Sequence, residues 1–430
     1  MNNYTIILII ILILIIALVV YYMQNRSHVC TMYLLYILGK FKIGNFELIS
    51  TENQQILSEN ASKQQELLLG VVNDVNKPIV KVYIKNKDKF FTSICDNLER
   101  GFGESYMEGV WYSDNLLEFL TILVLNQHNE YIPKFNVVNF YSKSLSSDKQ
   151  NIKSHYDVGN DFYQTFLTDK LSTYSCGFWK NELTTLDEAQ HNKVNIIISK
   201  LRPEPNKTIL DIGAGWGKIA SYVSEVTKCH VTGITISDEQ AKFASESYNQ
   251  NNVIILNMDY RLLSKQFDYI YSIGMFEHVR YENYDEYFSI IKKCLKPNGR
   301  FLLHTILNLE PSNPSILNDS FVSKHIFPGG QFPTNDWITD AVFRSNLNII
   351  HTEFYGGQHY AKTLNTWNKN MLEKSDYIVQ KYDMELLKKY EYYFNICEAM
   401  FRCGTVGIGH YLITNEQIVS LDNNYACGVV

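Results

Sequence analysis

No two of the eight cysteines in this 430-residue chain are spaced Cys-x-x-Cys; they lie scattered at 30, 95, 176, 229, 294, 397, 403 and 427. That scatter argues against a structural zinc site and excludes the dense framework of a small secreted domain. Reduced thiols facing a cytosol-like compartment are therefore expected. A basic excess is lacking too. The formal charge of −6 leaves no chain-wide positive field to collect phosphate backbones, so nucleic acid is not expected as a main partner. Internal repeats are absent, and 46% hydrophobic with 20% charged residues is an ordinary globular mix. Disordered, collagenous and disulfide-scaffold classes fall away. At about 150 residues per domain, the length leaves room for two or three.

What is present begins with an unbroken apolar run of 18 residues, Ile6 to Met23. As a helix it spans roughly 27 Å, close to the thickness of a hydrocarbon core. Residues 2–5 (Asn, Asn, Tyr, Thr) carry no basic side chain, unlike the start of a cleaved signal peptide. An uncleaved transmembrane anchor over residues 1–25 is the expectation. Arg26, Lys40 and Lys42 all follow the run, which places the rest of the chain on the cytoplasmic side. Met32–Leu38 is too short to span, and either lies along the interface or forms a buried helix turn.

Residues 26–150 read as a small α+β domain, with an alternating strand at Ile79–Ile84 and an apolar helix stripe at Leu116–Leu125. The polar stretch Ser142–Lys153 suits a linker. The remainder, 151–430, alternates strands (208–212, 230–236, 253–257, 267–273, 300–305) with helices (217–227, 238–248, 284–295). Such alternation predicts βαβ units: an α/β, doubly wound Rossmann-like parallel sheet covered on both faces. Its binding crevice belongs at the carboxyl ends of the strands, where the order reverses.

The sharpest local signal is DIGAGWG (211–217), directly after one strand and opening a helix. Glycines at 213, 215 and 217 let the backbone pass close to a ligand and aim helix amides at an anionic group. A tight βα turn alone could also select them. With Asp211 before G-x-G-x-G, the string resembles the first motif of Class I S-adenosylmethionine-dependent methyltransferases. In many such enzymes an acid ends the second strand and binds ribose. Here GITISDEQ (233–240) puts Thr235 at that position, with Gln240 available for the ribose, while Asp238 and Glu239 suit the helix start.

Further strings follow in order: GESYMEG (103–109), HYDVGNDFY (155–163), YSCGFW (174–179), SIGMFEHV (272–279), LLHTI (302–306), KHIFPGG (324–330) and HYAKTLNTW (359–367). Together with DIGAGWG and GITISDEQ they resemble the cyclopropane-fatty-acyl-phospholipid synthase family, including mycolic acid cyclopropane synthases, over roughly residues 90–410. The anchor lies outside that resemblance. What the resemblance implies is transfer of a methyl carbon from S-adenosylmethionine to the double bond of an unsaturated acyl chain, through a carbocation that bound bicarbonate deprotonates. It implies a bicarbonate set of Cys176, Glu277, His304, Tyr360 and the backbone of Ile306. For the methyl donor it implies Tyr174, Ser175, Asp211, Gly213, Gly215, Gly217, Thr235, Ile236, Gln240, Asp259 and Tyr260. Cys397 matches a cysteine once assigned as nucleophile, although direct transfer needs no sulfur intermediate. The implied partner is unsaturated phospholipid in a membrane, and a homodimer stays open.

Each residue also has a plainer reading. Glu277 and His278 could cap a strand-to-helix turn, His304 could be a satisfied core histidine, and Cys176 a small core residue. Trp216 could simply pack under the glycine loop. Glu277 with His304 has no third ligand at useful spacing, so no metal is expected. Rival functions are methyl branching without ring closure, small-amine N-methylation on the same domain, and a non-catalytic lipid-binding protein. The last fits poorly, because buried polar groups without a role cost stability.

Overall fold

The structure is a computed structural model that describes residues 3–41, 43–51, 79–127, 159–248, 252–312 and 320–416, and of residues 3–10 and 12–21 the backbone alone. The chain divides into two compact units, residues 1–135 with 382–393, and residues 136–381 with 394–430. The linker expected at 142–153, with its boundary at 150, lies outside the described residues.

In the first unit, helix α1 (Asn3–Leu38) breaks its helical backbone once, at Asn25 (φ −116°, ψ 19°). Among the described residues no helix is long and apolar enough to cross a membrane. The anchor expected over residues 1–25 falls mostly on side chains outside the description. Beyond the break, Cys30, Leu34, Ile37 and Leu38 are buried at helical spacing, while Met32, Tyr33 and Tyr36 stay exposed. Met32–Leu38 is thus half-buried helix, with one apolar face packed and the other exposed. A three-stranded sheet follows, with β1 (Phe46–Ser50) parallel to β2 (Val80–Ile84), and β2 antiparallel to β3 (Trp111–Ser113).

Helices α2 (Lys87–Asp96), α3 (Leu98–Met107) and α4 (Leu116–Leu125) start at asparagines, whose side chains accept from the backbone N–H three residues on: Asn86 from Lys89, Asn97 from Arg100, Asn115 from Glu118. The GESYMEG string is the end of α3 and its exit turn. Ser105 and Tyr106 are buried against Trp111, whose Nε1 donates to the Ser105 hydroxyl (3.0 Å), while the Tyr106 hydroxyl donates to Glu391 (2.8 Å). This string holds the unit's aromatic core.

One expectation is overturned in this unit. Cys30 on α1 and Cys95 on α2 form a disulfide, with Cα atoms 5.7 Å apart, across 65 residues of sequence. Reduced thiols throughout do not hold. Pairing follows from the packing of α1 on α2, also tied by Arg26 to Asp96 and Ser27 to Asp88, and no local spacing announces such a contact.

In the second unit, seven strands form one sheet among the described residues. Its order is β6 (Val253–Asn257), β5 (His230–Thr235), β4 (Thr208–Ile212), β7 (Phe267–Ile273), β8 (Leu295–Asn308), β10 (Val406–Thr414), β9 (Asn348–Tyr355). The first five run parallel. The all-parallel sheet expected from alternation is corrected at one edge, where β10 enters antiparallel between β8 and β9. Every residue of β10 is buried, so its near-continuous apolar run carries no periodic sign of direction.

Helices cover both faces. Val194, Ile197 and Leu201 of α6 (Leu186–Leu201), Ala220 and Val223 of α7 (Lys218–Thr227) and Ala244 of α8 (Asp238–Tyr248) share one core cluster. Tyr284, Phe288 and Ile291 of α9 (Tyr284–Cys294), with Ile338 and Val342 of α11 (Asn335–Arg344), fill the other. Between β4 and β7 the strand order reverses, and the loops after β4, β5, β6 and β7 open there. α5 (Asn160–Tyr163), α10 (Phe321–His325), α12 (Gln358–Leu372), α13 (Ser375–Lys381) and the part of α14 (Met384–Cys403) from residue 394 onward supply further walls of the unit.

Candidate active site

After β4 the chain turns through Gly213 (φ +90°), Gly215 (φ +55°) and Gly217 (φ +80°) before α7 begins. A Cβ on Gly213 would stand 2.8 Å from the Cβ of Met275, and one on Gly217 2.9 Å from that of Ala244, whereas one on Gly215 meets nothing within 4 Å. The outer glycines are required by close packing, and the middle one faces open space. That space is a solvent-open cavity of about 1150 Å³ lined by Tyr174, Ser175, Gly213, Gly215, Thr235, Ile236, Gln240, Asp259, Tyr260 and His278.

The expected donor residues thus converge, apart from Asp211 and Gly217, which support the loop from behind. Asp211 is buried beneath it and accepts from the Tyr271 hydroxyl at 2.9 Å. Burial, partly offset by that bond, raises its carboxyl to about 7. The Thr235 hydroxyl donates to Gln240 Oε1 at 3.0 Å, which leaves the Gln240 amide N–H groups without a partner among the described residues. Asp238 and Glu239 do open α8, as expected of them. Asp259 is clasped by Arg261 through Nε (2.9 Å) and Nη2 (2.8 Å), so its carboxylate is not a free acceptor. Trp216 lines the same cavity and donates from Nε1 to Asn160 at 3.0 Å, which is more than packing.

A second, smaller cavity is lined by Cys176, Lys193, Tyr355, His359, His304 and His410, among others. Two of the expected catalytic residues, Cys176 and His304, meet there. Burial pushes the Cys176 thiol up to about 12, against the pull of Lys193, so it is not a thiolate nucleophile. Lys193 is itself buried and lowered to about 8, with Nζ donating to the Ser175 hydroxyl (2.8 Å) and Gln190 Oε1 (2.7 Å). Burial, then Lys193 and Lys200, lower His304 to about 3. His278, on the donor cavity, is lowered to about 4 by burial.

Glu277 sits in a short 3₁₀ turn, Phe276–His278, just after β7. Its Oε1 accepts from the Ile306 N–H at 2.7 Å, which joins two more expected residues directly. Oε2 is buried and makes no hydrogen bond of normal geometry among the described residues, since the nearby Thr305 hydroxyl turns to the Ile306 carbonyl (3.3 Å). Burial raises the Glu277 carboxyl to about 7, although the bond from Ile306 pulls the other way. Tyr360 is buried on α12 with its ring 4.5 Å from Phe401 and 6.1 Å from Trp367. Cys397 is buried on α14. Glu277, Ile306, Tyr360 and Cys397 line neither of the two cavities.

Sequence reasoning missed Lys193, Lys200 and His410. The two lysines lie seven residues apart on one face of α6, amid Val194, Ile197 and Leu201, and a lysine pair in an apolar stripe was the available signal. Among the described residues no group of His, Cys, Asp and Glu could hold a metal ion.

A family model described as mycolic acid cyclopropane synthetase matches residues 143–411. The cyclopropane-fatty-acyl-phospholipid synthase of Escherichia coli K12 is 37% identical over 331 residues, covering 75% of this chain and 84% of the relative. The crystal structure of mycolic acid cyclopropane synthase CmaA1 complexed with SAH and CTAB aligns with a TM-score of 0.58 at 30% identity, over 62% of this chain and 98% of that one. Coclaurine N-methyltransferase, bound to N-methylheliamine and SAH, reaches the same TM-score at 18% identity over 73% of this chain and 98% of that one, a likeness of fold alone.

Proposed function

The chain belongs to the mycolic acid cyclopropane synthetase family of S-adenosylmethionine-dependent methyltransferases, and from that premise we propose that it adds a methylene carbon to the double bonds of unsaturated phospholipid acyl chains, forming cyclopropane rings. The observation that carries this reading is the 331-residue likeness to a relative named for phospholipid acyl chains, which covers 75% of this chain and 84% of the relative.

The donor cavity fits S-adenosylmethionine. Gly215 leaves room where any Cβ would project, and Gln240 offers amide donors of the kind a ribose takes up. The donor would supply an electrophilic methyl carbon. This chain's own residues hold and screen it: the glycine turn brings backbone close, Tyr174 and Trp216 wall the cavity, and Arg261 neutralises Asp259 at its edge.

An acyl chain that has gained the carbon must lose a proton, and bicarbonate would supply a base. The residues present suit a small oxyanion. Among the described residues Glu277, held near neutral pKa by burial, has one buried oxygen without a hydrogen-bond partner, and neutral His304 makes its one hydrogen bond through Nδ1, leaving Nε2 open. Buried polar groups left unmatched are costly, which fits a site completed by a ligand. Cys176 and Tyr360 would border that ligand, and Cys397 would support the helix behind it.

The apolar run of residues 6–23 is proposed as a single-pass anchor that ends in exposed Tyr22 and Met23 and is followed by exposed Tyr33 and Tyr36, which suit an interface. The basic residues after it favour a cytoplasmic catalytic unit, and the Cys30–Cys95 bond favours an oxidising side. Protease protection of tagged termini in sealed vesicles decides between them.

The direct test incubates detergent-purified protein with S-adenosylmethionine and monounsaturated phospholipid vesicles, then reads acyl mass and proton NMR. Gain of one CH2 with ring protons supports the proposal. The same gain with vinylic or exocyclic methylene signals means methyl transfer without ring closure. Unchanged lipid, with S-adenosylmethionine bound, refutes it and directs attention to amines.

A further inference from the structure

His304 of β8, His410 of β10 and Glu353 of β9 are direct cross-strand partners, in one row over three antiparallel strands. Their side chains are linked. His304 Nδ1 lies 2.7 Å from His410 Nε2, and His410 Nδ1 lies 2.8 Å from Lys200 Nζ. Lys200 in turn pairs with Glu353 at 2.5 Å and donates to the Tyr355 hydroxyl at 3.1 Å. The row begins at the partly exposed Glu353 and ends in the small cavity that His304 shares with Cys176 and Lys193.

Hydrogen-bond valence fixes the protons along this row. An ammonium has donors only, so His410 Nδ1 must accept from Lys200. Burial, His304, Lys200 and His351 all hold His410 well below its ordinary pKa, and His304 is likewise neutral, so each ring carries one proton. His410 therefore has its proton on Nε2 and donates to His304 Nδ1. His304 in consequence carries its proton on Nε2, the nitrogen with no protein partner among the described residues. Glu353, 2.5 Å from Nζ, is the counter-ion of the Lys200 ammonium: burial raises Glu353, the hydrogen bond and charge of Lys200 together with Tyr355 and His351 more than offset this, and the carboxylate rests below its usual range.

We infer that Lys200 and His410, anchored by Glu353, are positioning residues that lock His304 as an N–H donor, so that its Nε2–H holds the oxyanion base of the reaction. The histidine lock stands on the contacts of the row and on the burial that keeps both rings neutral, and its catalytic consequence rests on the proposed function. A reversed tautomer would put a lone pair against an oxyanion, and loss of such a supporting partner typically costs 10- to 100-fold.

The test is 15N NMR of histidine-labelled full-length protein in detergent, with the two imidazole signals assigned through His304→Gln and His410→Gln. In the unmodified chain both rings are expected to carry the proton on Nε2. Lys200→Met should mix the two tautomers at both rings and lower turnover about 10- to 100-fold, with S-adenosylmethionine affinity unchanged, and Lys200→Arg should restore tautomer and turnover together. His304 protonated on Nδ1 in the unmodified chain overturns the inference, as do unaltered tautomers in Lys200→Met. If Lys200→Met fails to bind S-adenosylmethionine, Glu353→Gln, which weakens the same ammonium from the exposed end, must shift the tautomers, or the inference falls. Correct tautomers with no lipid product on any vesicle refute the proposed function and leave the histidine lock standing.

Discussion

Replacing Glu277 by Gln should stabilise this protein at alkaline pH while removing its activity. The folded carboxyl titrates at about 7 against an ordinary 4.5, because burial penalises the ionised form. The native state thus binds the proton more tightly than the unfolded chain, and stability falls as pH rises from 4.5 through 7. At about 1.36 kcal/mol per unit, the accumulated penalty is about 1 kcal/mol at pH 5 and about 3 kcal/mol at pH 8. Glutamine keeps an oxygen for the Ile306 N–H and cannot ionise, so it escapes the penalty. Its own NH2 meets the same partnerless environment as Oε2, which makes about 3 kcal/mol an upper bound. Asp211 titrates in the same range but is common to both proteins and cancels in the difference. Thermal melts at pH 5 and pH 8 should show the gap opening by several degrees, at about 2–4 °C per kcal/mol for a unit of this size. Turnover should fall at least about 100-fold, as when a general acid–base group is lost. A gap in melting temperature that does not widen with pH refutes the reasoning, because Glu277 would then not be held neutral by burial.

Gly213→Ala and Gly215→Ala should separate fold from ligand. The first forces a Cβ to 2.8 Å from Met275 and should lower the melting temperature as well as S-adenosylmethionine affinity, whereas the second, with nothing within 4 Å, adds only the left-handed backbone strain of about 1–2 kcal/mol and should lose affinity out of proportion to that by calorimetric titration. Cys397→Ser should retain turnover within about threefold of the parent at saturating substrate, since direct methyl transfer requires no sulfur nucleophile. Reductant should lower the melting transition of the first unit, and the Cys30→Ser, Cys95→Ser double variant should start lower and not respond. Chain-entropy arguments put about 4 kcal/mol on closing a loop of 65 residues.

Much of the fold was legible because its parts are local. The strands at 208–212, 253–257 and 267–273 coincide with their apolar runs, and α4 and α8 match their expected bounds. A period of 2 or 3.6 is written into consecutive residues, and the glycine turn is dictated by conformations within three residues of one another. The donor cavity was legible for the same reason, since loops at the carboxyl ends of parallel strands must open on one side of the sheet. Fully buried β10 has no such periodic record, and its direction was not readable. Cys30 and Cys95 have ordinary neighbours in sequence, and only the packing of α1 on α2 pairs them.

The sequence by itself determined the sheet's parallel half, the glycine turn and the ordered strings that mark the family, all set by short-range sterics and side-chain spacing. Tertiary structure alone decided the antiparallel insertion of β10, the disulfide, the partnerless oxygen of Glu277 and the row from Glu353 through Lys200 and His410 to His304. Lys200 and His410 are 210 residues apart in the chain and 2.8 Å apart in space. Which proton a buried histidine carries depends on the donors that face it, and those are chosen by strand register and helix packing, not by its neighbours in the chain.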